Sequence, residues 1–108
     1  MRFGLNTFLF ISPFTTRSTG WFKRFKQWGF ESVELPVEDP AHIDPVRVKA
    51  ELDREGLVCG SLCAVTAAGR DLRGTPREQK IGMDYFRALL DQMVALDCPS
   101  LIGPVYSV

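Results

Sequence analysis

The sequence has no surplus of charge of either sign and no long apolar run. Thirteen basic and thirteen acidic residues among 108 give a formal net charge of zero. Because nucleic acids and anionic membranes are bound through clustered positive charge, we expect neither as a main partner. No stretch approaches the roughly 18 apolar residues that a membrane span needs. The apolar N-terminus is broken by Asn6 and Thr7 and lacks a small-residue cleavage site, so it does not resemble a signal peptide.

Histidine and cysteine are scarce, and the common nucleotide and hydrolase motifs are missing. The single histidine, His42, has no neighbouring His or Cys at ligand spacing, and there is no P-loop, dinucleotide fingerprint or Gly-x-Ser-x-Gly elbow. Cys59, Cys63 and Cys98 are an odd number of cysteines that fall in or beside apolar stretches, which favours free thiols and a cytoplasmic location. On one strand, Cys59 and Cys63 would share a face but lie roughly 13 Å apart, too far for one zinc ion.

Four short apolar stretches alternate with three helix-like stretches. The predicted strands cover residues 3–10, 32–37, 57–64 and 100–105. Helices are predicted over about 18–28, from Asp44-Pro45 to Gly56, and from the capping box Thr75-Pro-Arg-Glu78 to about 96. This alternation predicts an α/β fold with a parallel sheet. Since an eight-fold βα barrel takes about 250 residues, we expect one domain over 1–108, a partial (β/α)8 TIM barrel with about four strands and three helices.

Helical spacing predicts the buried faces of the first and third helices. Aromatic residues recur at helical spacing in the first helix, and apolar residues recur every four positions in the third. The predicted core positions are Trp21, Phe22, Phe25 and Trp28, and then Ile81, Tyr85, Leu89 and Met93.

Glu34 is the most informative polar residue in a predicted strand. It points away from the face that carries Val33 and Leu35, near the carboxyl end of the second strand. In βα barrels the loops after the strands build the active face. Glu34 is therefore either an active-site carboxylate or a charge-paired or hydrogen-bonded residue at the barrel mouth. Asn6 and Thr7 on the first strand pose the same question, as does Tyr106 after the fourth.

Several segments resemble the D-tagatose and D-psicose 3-epimerase family, within the xylose-isomerase-like TIM barrels. They are Phe-Gly-Leu-Asn-Thr-Phe at 3–8, Trp-Gly-Phe-Glu-Ser-Val-Glu-Leu-Pro at 28–36, Arg-Glu-Gly-Leu-Val-Cys at 54–59, Gly-Arg-Asp-Leu at 69–72 and Ile-Gly-Pro-Val-Tyr-Ser at 102–107. The resemblance runs over the whole chain but covers less than half of a family member, so we expect an N-terminal half. Asn6 stands where the family usually has an aromatic residue, and Phe14 where it usually has Trp.

The resemblance implies a wall for a small-molecule sugar at the ends of the early strands. It carries over to Asn6, Phe14, Leu62 or Cys63, and Val105 with Tyr106. A sugar site also needs apolar surface and a few fixed hydroxyl partners. The expected substrate-binding set is therefore Asn6, Phe8, Phe14, Glu34, Leu62, Cys63, Val105 and Tyr106.

The resemblance further implies a metal-dependent epimerisation at C3 of a ketose through an enediolate. In the family, two Glu, an Asp and a His hold a divalent metal, commonly manganese or cobalt, and they belong to the second half of the barrel. We therefore expect no catalytic or metal-binding residue in this chain, no metal in the chain alone, and no activity of the chain alone.

Two other interpretations stay open. In the first, the chain is a half-barrel that forms homo-oligomers through its open sheet edges, at the first and fourth strands. In the second, it is a non-catalytic module that only binds a sugar. The DNA-repair endonuclease branch of the same superfold is disfavoured by the zero net charge and the absence of a histidine-rich metal cluster.

Overall fold

A parallel four-stranded sheet forms the centre of the protein. The structure is a computed structural model that describes residues 2–103. The strands β1 (Gly4–Asn6), β2 (Ser32–Val37), β3 (Val58–Ala64) and β4 (Leu101–Ile102) follow one another in the sheet in chain order. Every neighbouring pair is parallel, with Leu5 opposite Val33 and Leu62 opposite Leu101. The predicted α/β fold with a parallel sheet is confirmed.

Each crossover between neighbouring strands contains one α-helix. These helices are α1 (Phe22–Gln27), α2 (Pro45–Glu55) and α3 (Pro76–Ala95). Short 3₁₀ helices cover Thr7–Leu9, Thr16–Trp21 and Pro40–His42.

The predicted starts of α2 and α3 are confirmed by their capping bonds. The Asp44 carboxylate accepts from the backbone N–H groups of Val46 and Arg47, and Thr75 Oγ1 accepts from Glu78 N at 3.2 Å. The predicted stop of α2 is confirmed as well, since Gly56 has a φ of 70°, which glycine adopts without a steric cost.

Three predicted elements differ in extent from the structure. The first strand, predicted over 3–10, ends at Asn6, because Asn6 Oδ1 accepts from Phe8 N at 2.9 Å and turns the chain into a 3₁₀ helix. The first helix, predicted over 18–28, is divided into a 3₁₀ helix and α1, and it ends at Gln27. Of the predicted fourth strand, residues 101–102 are strand, and 104–105 lie outside the described residues.

The hydrophobic core lies between one face of the sheet, here called the outer face, and the helices. Val33, Leu35 and Val37 of β2 are at most 1 % exposed, as their alternation predicted. The rest of this core consists of Leu5, Cys59, Leu62 and Ala64 from β1 and β3, of Phe22, Phe25, Val48, Leu52, Tyr85 and Leu89 from the helices, and of Phe14, Ile43, Leu57, Leu96 and Cys98 from the connecting segments.

A β-bulge in β3 decides which of its side chains join this core. The register moves from Val33 opposite Cys59 to Glu34 opposite Ser61, so Gly60 is an extra residue. Cys59 and Leu62 are therefore both buried on the outer face, whereas Cys63 lies on the other face. The expectation that Cys59 and Cys63 share a face is wrong, because the bulge shifts the alternation by one residue.

The buried faces of the helices differ in part from the prediction. On α3 the inward side carries Gly82, Tyr85, Leu89 and Gln92, while Ile81 is 44 % exposed. A side chain at position 82 would meet the Arg70 carbonyl oxygen at 2.9 Å, so glycine lets the loop after β3 pack against α3. On the first helix Phe22 and Phe25 are buried as predicted, but Trp28 follows the end of α1 and is half exposed.

Candidate functional site

The second face of the sheet, here called the inner face, carries small and polar residues around a cavity of about 330 Å³. Glycine makes room there: a Cβ at Gly4 would lie 2.4 Å from Ser32 Oγ, and a Cβ at Gly60 would lie 3.6 Å from Ser32 Cβ. The polar lining consists of Asn6, Ser32, Glu34 and Ser61. This face opens into space where the opposite wall of a complete barrel would stand.

Glu34 lies in the middle of the inner face, on β2. Asn6 stands opposite it on β1 and Ser61 opposite it on β3. Ser61 Oγ donates a hydrogen bond to Glu34 Oε1 at 2.9 Å, and Glu34 is half-buried. Across residues 2–103 Glu34 forms no ion pair. Within the described part of the chain, Glu34 is therefore hydrogen-bonded and not charge-paired.

Cys63 continues the inner face toward the carboxyl end of β3. It stands opposite Pro36 on β2 and Ile102 on β4, and it is half-buried. Burial raises the pKa of the Cys63 thiol, and the negative charge of Glu34 raises it further. The thiol is therefore neutral near pH 7, which suits a small contact surface better than a nucleophile.

The structure places the other expected site residues differently. Asn6 is exposed, with its Oδ1 bonded to Phe8 N, and Phe8 is 44 % exposed directly after β1. Phe14 and Leu62 are 0 % exposed in the core, so neither offers surface to a ligand in this conformation. Val105 and Tyr106 lie outside the described residues. Asn6, Phe8, Glu34 and Cys63 are thus the expected residues with accessible surface.

Sequence reasoning missed Ser32 and Ser61, which share the inner face with Glu34. The alternation of β2 that separates Glu34 from Val33 also assigns Ser32 to the inner face, so Ser32 had a usable signal. Ser61 had none, because strict alternation from Cys59 puts it on the outer face until the bulge is known.

Tyr85 and Arg70 hold together the ends of β2 and β3, where the inner face opens. The Tyr85 hydroxyl accepts from Val65 N at 2.8 Å and donates to the Val37 carbonyl oxygen, and burial raises the pKa of this hydroxyl. The Arg70 guanidinium lies 4.1 Å from the centre of the Tyr85 ring and donates to the carbonyl oxygens of Glu38 and Val65.

The described residues do not fit a metal site. Across 2–103, no group of three or more His, Cys, Asp and Glu side chains is arranged to hold an ion. His42 is exposed, and its Nε2 lies 3.5 Å from Asp39 Oδ2.

In the same described range, none of the helices is sufficiently long and apolar to cross a membrane.

Known structures share this fold over the whole chain. A D-allulose 3-epimerase from Methylomonas sp., in complex with D-allulose, matches with a TM-score of 0.85 at 22 % identity, covering 100 % of this chain and 38 % of that one. A D-psicose 3-epimerase, solved in the presence of D-fructose, matches with a TM-score of 0.77 at 14 % identity, covering 99 % and 38 %. A family 2 AP endonuclease from Brucella melitensis matches with a TM-score of 0.70 at 23 % identity, covering 93 % and 39 %.

The chain spans about 38 % of the length of the epimerase structures that it matches. No protein-family model matches the sequence, and no curated protein matches it significantly. The epimerase resemblance noticed in the sequence is thus confirmed at the level of structure, where neighbours include D-allulose and D-psicose 3-epimerases. The chain has the fold of a four-stranded part of these barrels, as the prediction of a partial (β/α)8 barrel required.

Proposed function

We propose that this chain forms the N-terminal part of a sugar epimerase or isomerase barrel and that its inner face binds a ketose. The observation that carries the proposal is the inner face itself, a polar surface around Glu34 on the sheet. Support comes from the structural likeness to an epimerase that binds D-allulose. A parallel barrel uses the carboxyl ends of its strands for ligands, and Cys63 lies near that end of β3, whereas Glu34 lies in the middle of β2.

The residues of the inner face have separate roles in this proposal. Glu34 accepts hydrogen bonds from sugar hydroxyl groups, and Ser61 holds its carboxylate in place through the 2.9 Å bond. Gly4 and Gly60 leave the space that the sugar chain needs. Phe8 supplies an exposed apolar surface for the C–H side of the sugar.

We further propose that the isolated chain is catalytically inactive. The family resemblance implies manganese or cobalt for epimerisation at C3, and we propose that the metal ligands and the proton-transferring carboxylates lie outside residues 2–103. Deprotonation beside a carbonyl needs stabilisation of the developing negative charge, and the described inner face offers one carboxylate and neutral polar groups.

A second candidate is a non-catalytic half-barrel that self-associates or binds a sugar. The two outermost strands of the sheet favour it, because β4 carries the exposed Ile102 and the segments on either side of β1 carry the exposed Phe3 and Leu9. A homo-oligomer would cover these edges. Three free thiols support a cytoplasmic location in either case.

The endonuclease match does not add a candidate function. A nuclease needs positive charge for the phosphate backbone, and this sequence has a net charge of zero.

A hybrid barrel tests the proposed function. The 108 residues replace the aligned part of the Methylomonas D-allulose 3-epimerase, and the interconversion of D-fructose and D-allulose is measured with added manganese or cobalt. We expect the hybrid to be active and the 108-residue chain alone to be inactive.

Two variants of the hybrid provide the control. Glu34→Ala removes the proposed sugar contact and should lower kcat/KM at least tenfold, whereas Glu51→Ala on the outside of α2 should leave it unchanged. Circular dichroism of each hybrid establishes folding. A folded hybrid that lacks activity, or equal activity of the two variants, would contradict the proposal.

A further inference from the structure

A second cavity, of about 540 Å³, lies between the loop that follows β1 and the start of α2. It shares no lining residue with the cavity of the inner face. Its walls carry Arg17 and Arg47, with His42 and the hydroxyl-bearing Thr15, Thr16 and Thr19 between them. Nothing in the proposed sugar site uses this cavity, so its cationic lining needs a separate explanation.

Neither arginine has an acidic partner among residues 2–103. Within residues 2–103, neither guanidinium forms an ion pair, although the other basic residues of α2 do: Lys49 pairs with Asp53 and Arg54 with Glu51. Arg47 also lies in the first turn of α2, where the helix dipole disfavours a positive charge. Helix stability therefore does not explain its position.

Hydrogen bonds join the two walls of the cavity. Thr16 Oγ1 accepts from Asp44 N at 2.8 Å and donates to the His42 carbonyl oxygen at 3.4 Å. Thr19 Oγ1 donates to Thr16 O at 2.9 Å, and Ser18 Oγ accepts from Thr15 N at 3.0 Å. The 3₁₀ helix that carries Arg17 is thus hydrogen-bonded to the segment that leads into α2, which carries Arg47.

The nearby carboxylates already have partners. Asp39 lies beside His42, with Oδ2 3.5 Å from Nε2, and Asp44 Oδ1 accepts from the first N–H groups of α2. They reduce the positive potential of the cavity but do not neutralise the two guanidinium groups.

We propose that this cavity binds a phosphoryl group through Arg17 and Arg47. A tetrahedral phosphate offers oxygens to guanidinium groups on two walls at once, whereas a planar carboxylate is matched by one. The cavity is larger than a phosphate ion needs and falls within the range of about 300–1,000 Å³ for small-molecule sites. The ligand is therefore inorganic phosphate or the phosphate end of a small molecule. This inference does not depend on the proposed sugar site.

Calorimetric titration of the 108-residue chain with inorganic phosphate at low salt tests the proposal. Arg17→Ala and Arg47→Ala should each weaken phosphate binding about tenfold or more. Arg77→Ala is the matched control, because Arg77 is also exposed and unpaired within the described residues and lies in the first turn of α3. It should change the affinity less than twofold. All three side chains are exposed, so circular dichroism should show an unchanged fold.

Two further titrations identify the source of the phosphate group. If D-fructose 6-phosphate binds much more tightly than inorganic phosphate, the ligand of the cavity is a phosphorylated sugar. If the two affinities are equal, the ligand is the free phosphate ion. Either result supports the site. The proposal is overturned if the native chain binds phosphate no better than the double variant Arg17→Ala/Arg47→Ala. It is equally overturned if Arg77→Ala weakens binding as much as the cavity variants. The binding of D-fructose, which carries no phosphate, should be unaffected by Arg17→Ala and Arg47→Ala.

Discussion

The two faces of the sheet differ in every property that decides packing. The outer face presents Val33, Leu35 and Val37 to the helices, each at most 1 % exposed. The inner face presents Ser32 and Glu34 from the same strand, half-buried around an open cavity. One strand thus supplies both the core and the candidate site. The core of this chain therefore forms against its own helices, and the inner face keeps accessible polar surface.

The largest effect should come from the outer face. Leu35→Ala removes a fully buried side chain from the core and should lower the free energy of unfolding by about 2–5 kcal/mol. Ser32→Ala on the inner face of the same strand is the matched control, with an expected change within about 0.5 kcal/mol. Urea denaturation of both variants measures the difference. Equal losses of unfolding free energy in the two variants would mean that the two faces contribute equally to stability.

Loss of the two hydrogen bonds by which the Tyr85 hydroxyl joins the ends of β2 and β3 should have the next largest effect. Tyr85→Phe removes the hydroxyl that accepts from Val65 N and donates to Val37 O. Because two backbone groups lose a partner, the free energy of unfolding should fall by about 1–3 kcal/mol. Hydrogen exchange should then be faster at Val65. An unchanged stability would show that water replaces the hydroxyl and that the strand ends do not need it.

A smaller effect is expected at the start of α2, outside both faces. Asp44→Ala leaves two helix N–H groups without their side-chain acceptor and should cost about 1 kcal/mol. Asp53→Ala in the same helix breaks only the exposed pair with Lys49 and should cost about 0.5 kcal/mol or less. Thermal unfolding of the two variants compares them. The account of helix initiation fails if Asp53→Ala costs as much as Asp44→Ala.

The reactivity of the thiols provides a chemical comparison of the two faces. Cys63 on the inner face is half-buried, whereas Cys59 and Cys98 are buried in the core. Burial raises the pKa of the Cys59 thiol as well, with a further contribution from Cys98. Iodoacetamide should therefore modify Cys63 first in the native protein, at a rate that rises with pH because the thiolate is the reacting form.

Glu34→Gln sharpens that measurement. It removes the negative charge that helps to raise the pKa of Cys63, so alkylation of Cys63 at pH 8 should be faster than in the native chain. Mass spectrometry of the alkylated peptides identifies the residue. A slower or unchanged reaction would indicate that the carboxylate does not act on the thiol.

Much of the outer face could be predicted from the sequence. The alternation in β2 identified its core side chains, and the capping residues Asp44, Thr75 and Gly56 identified the ends of the longer helices, because each of these signals is local. The prediction of β1 over 3–10 was wrong beyond Asn6, since apolar residues after the turn extend the strand-like pattern without forming strand.

The inner face was harder to predict because it depends on non-local geometry. The bulge at Gly60 reverses the direction of every later side chain in β3, and it exists only because β3 pairs with β2 across a shifted register. Phe14 was expected to contact substrate, yet it packs against Phe22 in the core with ring centres 6.2 Å apart. Sequence alone located Glu34, but it did not identify Ser61 as the donor to its carboxylate.

The most direct test of the central claim is a titration of the ¹⁵N-labelled chain with D-fructose and D-allulose, followed by the shifts of its backbone amide signals. If the inner face binds a ketose, the shifts will concentrate at Asn6, Glu34, Ser61 and Cys63, and Glu34→Ala will abolish them. Shifts confined to the outer face, or the same shifts in native chain and Glu34→Ala, would contradict the claim.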